Sequence, residues 1–300
     1  MNLSRVIVLY GNLEGTDGRF ARDPSGYLSI EAGIFQKWGL DVSWQHVQGT
    51  EERYRRLLEG TADISFVVGR AALQHFLASR TTQILGSPMN SCPYYLVTAP
   101  SVKGIRDLKS IACREAPARN APLAQTFQSM AQLEIGVDLT LWLPNSDQHA
   151  FDLLVRGKVR GALLPRPYAF IAEENEFKRI DEWPGVVDDP LPIMIETTAK
   201  LLQQRERDYF LFLEAHREGI RYLKQNRAET IRMLEKRFGH SPALAAKTCD
   251  EYLVWLDDRL TVEFRHLERL VAQVAPDTAG GAVQLASEWF LPSALTGWVP

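Results

Sequence analysis

Gly39-Leu40-Asp41-Val42 and Gly136-Val137-Asp138-Leu139 are near-copies, and Leu57-Leu58-Glu59-Gly60 returns as Leu154-Val155-Arg156-Gly157. From 39 to 136 and from 60 to 157 the offset is the same, 97 positions. In each copy a helical pattern ends in glycine, a short apolar strand follows, and a polar turn opens the next helix. Glycine ends helices readily because it enters the left-handed conformation without a Cβ clash. Self-similarity at a fixed offset exposes architecture that single motifs miss. Two copies at this spacing are too few and too far apart for a solenoid. They predict two similar α/β lobes with a cleft between them.

Outward from the first copy, Val6–Tyr10 reads as a buried strand and Gly11–Gly26 as a polar, Gly-rich loop. Tyr27–Trp38 has helical spacing, Leu40–His46 alternates as a strand, and Thr50 with Glu51 and Glu52 opens a helix that Gly60 ends. Ile64–Val68 is a short apolar strand and Arg70–Ser79 a helix. Around the second copy, Tyr94–Ala99 is extended, Ile111–Arg114 is a strand and Ala118–Leu133 a helix. Leu139–Leu143, Asp147–Arg156, Gly161–Leu164 and Tyr168–Glu174 then repeat the strand–helix alternation. Strands alternating with helices predict a mostly parallel sheet. A Pro-rich stretch from Trp183 to Pro192 leads to the extended Ile193–Thr197, which returns the chain to lobe one. Arg207–Gln225, Ala228–Phe238, Pro242–Leu256, Val262–Val274 and Val283–Trp289 are helical, and such a tail packs around lobe one. The expected division is 1–91 for the first part of lobe one, 92–192 for lobe two, and 193–300 for the return and tail.

The 300 residues are 45% hydrophobic and 24% charged, a globular composition with material for a sizeable core. A net charge of −3 gives no basic surface to draw in nucleic acid. The longest apolar runs, Val6–Tyr10 and Ile64–Val68, are too short to insert in a bilayer. Cys92, Cys113 and Cys249 are odd in number and widely spaced, and the histidines show no metal-ligand spacing, so neither a disulfide framework, a metal nor a cofactor is expected. Met1–Ser4 runs straight into Arg5–Tyr10 without a charged leader or apolar core. The expectation is a cytoplasmic chain, or a periplasmic one if Met1 begins a mature form.

Four segments resemble a known group. Gly33 to Val42 (Gly-Ile-Phe-Gln-Lys-Trp-Gly-Leu-Asp-Val) is similar to its glycine–Phe segment ending Gly-Leu-Asp/Glu-Val. Gly60-Thr61-Ala62-Asp63-Ile64 resembles its Gly-x-Ala-Asp-Ile/Val, and Ile105-Arg106-Asp107-Leu108-Lys109-Ser110 its Asp-Leu-Lys-Gly entry to the second lobe. Gly157-Lys158-Val159 with Pro165-Arg166-Pro167 resembles its second Gly-x-Val-Asp-Ala and following proline, with Arg160 in place of the acid. The group is the type II periplasmic-binding-protein fold, in its solute-binding branch for nitrate, sulfonates, taurine and thiamine-pyrimidine precursors. The resemblance covers about residues 5 to 255. It implies binding of a small organic anion or heteroaromatic compound between the lobes, delivered to an ABC permease. It also reaches decarboxylases, dehydratases and desulfinases of small cyclic acids, so a cytoplasmic enzyme on the same fold is the alternative.

In open α/β sheets ligands bind outside the carboxyl ends of the strands. Those positions supply the candidate ligand-binding residues: Asn12, Arg19, Tyr27, Gly49, Thr50, Gly69 and Arg70 in lobe one, and Arg114, Arg119, Asn145, Arg166 and Tyr168 in lobe two, with Ser91 at the crossing. Arginine suits carboxylate or sulfonate because its planar fork bonds two oxygens at once. The alternative for each arginine is a solvated loop residue or a bridge to Glu14, Glu115 or Asp147. Tyr10, Tyr27, Tyr94 and Tyr168 provide flat walls or pack in the core. The one catalytic pairing to consider is Cys92 with His46, which lacks an identifiable third member.

Overall fold

In the computed structural model, Gly39, Gly60, Gly136 and Gly157 have φ of 77°, 69°, 67° and 66°. The echo in sequence is therefore an echo in backbone: each glycine turns the chain where a Cβ would be strained. All residues are described except 1–2, 12, 15–19, 22, 48, 115–121, 181–185, 276–280 and 297–300.

The lobe-one strands are β1 (Ser4–Tyr10), β2 (Leu40–His46) and β3 (Ile64–Val67), and β4 (Thr82–Thr98) leaves that lobe for the next. Lobe two adds β5 (Ser110–Ala112), β6 (Thr140–Trp142) and β7 (Gly161–Leu164), and β8 (Val186–Thr198) returns. Their order in one continuous sheet is β2-β1-β3-β8-β4-β7-β5-β6, with Lys178–Arg179 pairing β4 off that path. β1 runs parallel to β2 and β3, and β5 parallel to β6 and β7. β4 and β8 are antiparallel to each other from Thr82↔Thr198 to Tyr95↔Val186 and serve both halves. These two long strands are the crossings, and both extend further than the apolar runs Tyr94–Ala99 and Ile193–Thr197 suggest. Their central residues include Pro88, Pro93 and Pro190, which no strand pattern favours.

The helices are α1 (Ser25–Glu31), α2 (Ile34–Lys37), α3 (Thr50–Leu58), α4 (Gly69–Ser79), α5 (Pro122–Ile135), α6 (Asp147–Val155) and α7 (Tyr168–Glu174). The tail adds α8 (Ala199–Gln225), α9 (Arg227–Phe238), α10 (Pro242–Trp255), α11 (Phe264–Val274) and α12 (Ala282–Trp289). The single helix expected over Tyr27–Trp38 is broken in two, because Gly33 enters the left-handed region at φ 69°. No described helix is long and apolar enough to cross a membrane.

The tail clasps the lobe-one sheet from both sides. On one face Phe212, Ile220 and Leu223 of α8 and Cys249 and Tyr252 of α10 share a core with Val8, Leu28, Phe35 and Ile64. On the other, Leu267, Leu270 and Val271 of α11 and Trp289 of α12 pack on Ala72, Leu73 and Phe76 of α4. In lobe two the strand period of two divides β5 between two cores, Ile111 facing Phe127 and Ala131, Ala112 facing Leu154 and Phe170. Leu244 of α10 joins the second of these, so α10 belongs to the packing of both lobes.

The tail also closes the outer edge of β4. Asp257 N–H donates to Pro88 O at 2.8 Å, Ser87 N–H to Leu260 O at 3.1 Å, and Leu291 N–H to Ile84 O at 3.1 Å. Gly86, at φ 155°, permits this approach, since a Cβ there would lie 2.2 Å from Leu260 O.

Candidate functional site

β1 ends at Tyr10, the short strands Leu13–Glu14 and Phe20–Ala21 pair after it, and Asp23-Pro24 then leads into α1 at Ser25. Asp23 Oδ1 accepts the Ser25 N–H at 2.8 Å and the Tyr252 hydroxyl, while the Asp23 N–H donates to Tyr10 Oη at 3.1 Å. The Ser25 N–H also reaches Tyr252 Oη at 2.9 Å, and Ser25 Oγ lies 3.2 Å from His216 Nε2. Asp23, Ser25 and His216 are fully buried. Burial pushes the His216 imidazole down to about 4 against a smaller opposing pull from Asp23, so it is neutral at pH 7. Burial first, then Asp23, raises the Tyr252 phenol well above its ordinary value. Among the described residues Asp23 Oδ2 and His216 Nδ1 have no hydrogen-bond partner.

Above this polar nest sits an aromatic group. Tyr27 stands edge-on to Tyr10 at 5.7 Å and lies 5.5 Å from Trp44, which is itself 4.7 Å from Phe66. Gly26 makes room for Trp44, since a Cβ there would fall 2.0 Å from the indole. Arg237, exposed at the end of α9, lies over the Tyr27 ring at 4.8 Å. Burial pushes the Tyr27 hydroxyl up to about 12, with Arg237 opposing. No carboxylate pairs with Arg237 among the described residues, and its guanidinium rests on the Tyr27 ring.

Opposite, the lobe-two cations face acids. Arg114 Nε lies 3.8 Å from the buried Asp147, which also accepts the Tyr94 hydroxyl at 3.4 Å. Arg166 is 2% exposed. It donates to Glu251 Oε1 at 3.2 Å and to Met89 Sδ at 3.4 Å, and stacks over Tyr252 at 5.5 Å. Through Glu251 and Tyr252, α10 joins the end of β7 to the polar nest at the end of β1.

No family profile matches this chain, and no curated protein matches its sequence. Solved structures do resemble it. The periplasmic sulfonate-binding protein SsuA of Methylobacillus flagellatus KT superposes with a TM-score of 0.68 at 14% identity, over 97% of this chain and 92% of its own. A Candida albicans protein with the generic periplasmic-binding-protein fold gives 0.63 at 15% identity, over 99% of this chain and 96% of its own. The fold is that of the periplasmic binding proteins. The nitrate-binding NrtA of Synechocystis PCC 6803 gives 0.66 at 10% identity over 96% and 86%.

Within this binding-protein fold the expected residues separate into groups. Tyr27 belongs to the aromatic platform. Gly49 precedes α3 at φ 87°, and Thr50 Oγ1 accepts from Arg53 at 3.4 Å. Gly69 packs on Leu191, and Arg70 donates to Gln273 of α11 at 3.3 Å. Asn145 is exposed, and Tyr168 is buried 5.8 Å from Phe151. Ser91 is buried on β4, its hydroxyl without a hydrogen-bond partner among the described residues. Asn12, Arg19 and Arg119 lie outside the described residues, as does Glu115. The structure does not bring Cys92 and His46 together. Cys92 is buried on β4 and His46 exposed on β2, four strands away, about 19 Å at the usual strand spacing.

Sequence reading missed Asp23, Ser25, His216, Tyr252 and Arg237. Asp23-Pro24-Ser25 carries a local signal, a turn-forming Asp-Pro before a helix. The other three come from the tail, far away in sequence, and no motif announces them. Among the described residues no group of His, Cys, Asp and Glu could hold a metal.

Proposed function

We propose that this chain is a solute-binding protein that closes its lobes on a small organic anion, a sulfonate, a carboxylate or an anionic heteroaromatic compound, and presents it to an ABC permease. The observation that carries the reading is the pair of antiparallel crossings, β4 and β8, with strand ends of both lobes turned toward one mouth. Whole-chain likeness to proteins named for sulfonate and nitrate binding supports it. The lobes divide at residues 91/92 and 192/193 in this reading, and closure is a hinge motion of the crossings. Arg237 supplies the charge and the Tyr27–Trp44 group the flat wall, with Thr50, Arg70 and Arg114 on the rim.

Calorimetry with taurine, an alkanesulfonate, nitrate, benzoate and an anionic pyrimidine tests it. At least one member binds, and Arg237→Ala weakens that ligand by roughly tenfold, the value of one charge-assisted contact. Silence across the whole panel, or a hit indifferent to Arg237→Ala, would sink the assignment.

A further inference from the structure

A pocket of about 690 Å³ opens on the flank of the hinge, a volume typical of small-molecule sites. Four pieces of chain line it: β4 at Asn90 and Ser91, α8 at Lys224, the end of α10 with the turn after it, and the stretch from Glu263 to Arg269. Neither Tyr27, Arg237, Arg114 nor Arg166 lines it.

The acids around this pocket are already neutralised. Asp257 pairs with Arg259 at 3.0 Å, Asp258 with Arg221 at 2.9 Å, and Glu263 with Arg265 at 2.7 Å. Arg269 is exposed and has no acid partner among the described residues. Ser91 is 6% exposed and its hydroxyl has no partner among the described residues. Val254, 76% exposed, and Trp255 provide an apolar wall. An uncompensated guanidinium beside an apolar wall and a spare hydroxyl suits a ligand with one carboxylate on a flat apolar body.

We propose that this pocket is a second ligand site, for a small amphiphilic monocarboxylate, with the carboxylate on Arg269 and the apolar body on Val254 and Trp255. Asn90 and Ser91 belong to a strand shared by both lobes, so the occupant rests on the hinge. The site is independent of what the mouth binds.

Calorimetry of the full chain with 2-naphthoate tests it. The unaltered protein binds the probe, and Arg269→Glu and Val254→Arg each weaken it by roughly tenfold or more. The same losses appear in an Arg237→Ala background, which removes the charge assigned to the mouth, and the neutral 2-naphthamide binds more weakly by a similar factor. Both altered side chains are on the surface, and circular dichroism checks that the variants fold. Absence of binding at millimolar 2-naphthoate overturns the proposal, as does an affinity indifferent to both substitutions.

Discussion

Lobe one and lobe two are built on the same backbone phrase but finish their strand ends differently. In lobe two the cation after β5 faces the acid that opens α6, as Arg114 and Asp147. In lobe one the ends of β1 and β2 are completed by the tail: His216 from α8, Arg237 from α9 and Tyr252 from α10. The repeat therefore sets where the strand ends lie, while the unrepeated tail sets the side chains around those of lobe one. Arg166 crosses that division, since it leaves the end of β7 for Glu251 of α10.

Breaking that crossing gives the largest expected effect. Arg166 and Glu251 have side chains only 2% and 14% exposed, and removing one member of a buried pair costs about 3 kcal/mol or more because the other is left uncompensated. Arg166→Met should show this in urea unfolding, and adding Glu251→Gln should restore much of the loss. A double variant as unstable as the sum of the two single ones would mean that α10 does not couple the lobes through this pair.

The tail-built nest of lobe one is tested by pH. His216 has a folded value of about 4, below the ordinary 6.5. The unfolded chain thus takes up a proton that the folded one refuses, so stability is full above about 6.5 and falls as pH drops toward 4. The shift corresponds to a loss of about 3 kcal/mol. Unfolding free energies at several pH values in this window should show it, and His216→Gln should flatten the slope. An unchanged slope would remove His216 from the account.

The smallest effect concerns what the lobes share. Gly60 and Gly157 have φ of 69° and 66°; a Cβ at Gly157 would meet nothing within 4 Å, and one at Gly60 only Leu201 Cδ2 at an ordinary 3.8 Å. Gly60→Ala and Gly157→Ala should each cost about 1 to 2 kcal/mol, the strain of a left-handed L-residue. Clearly unequal thermal shifts, corrected to free energy, would show that the two copies are not equivalent turns.

The two-lobed α/β plan was legible because glycine stops and apolar strands are local signals, and they recur at one offset. The mouth of lobe one was only half legible. Tyr27 and the Asp-Pro-Ser turn lie beside a strand end in sequence, but His216, Tyr252 and Arg237 arrive by tertiary packing and carry no periodic mark. The strand-end arginines show the converse. Their positions were readable, yet Arg166 is committed to Glu251 by a helix 85 residues downstream. The length of β4 was hidden because its prolines mimic a loop; Pro88 falls where the register with β8 shifts, while Pro93 pairs Asp188 in the regular part of the ladder.

The seam between the tail and β4 also bears on solubility. In lobe one β4 is the last strand of its half of the sheet, so residues 84–90 would present an open ladder of N–H and C=O groups. Such an edge invites pairing with a second chain. Residues 257–261 and Leu291 occupy it instead, from Leu291 on Ile84 to Asn90 on Thr261. This stretch of the tail thus acts as a guard against self-association, and a chain cut before residue 257 would lose that guard while keeping His216, Arg237, Tyr252 and every strand of both lobes.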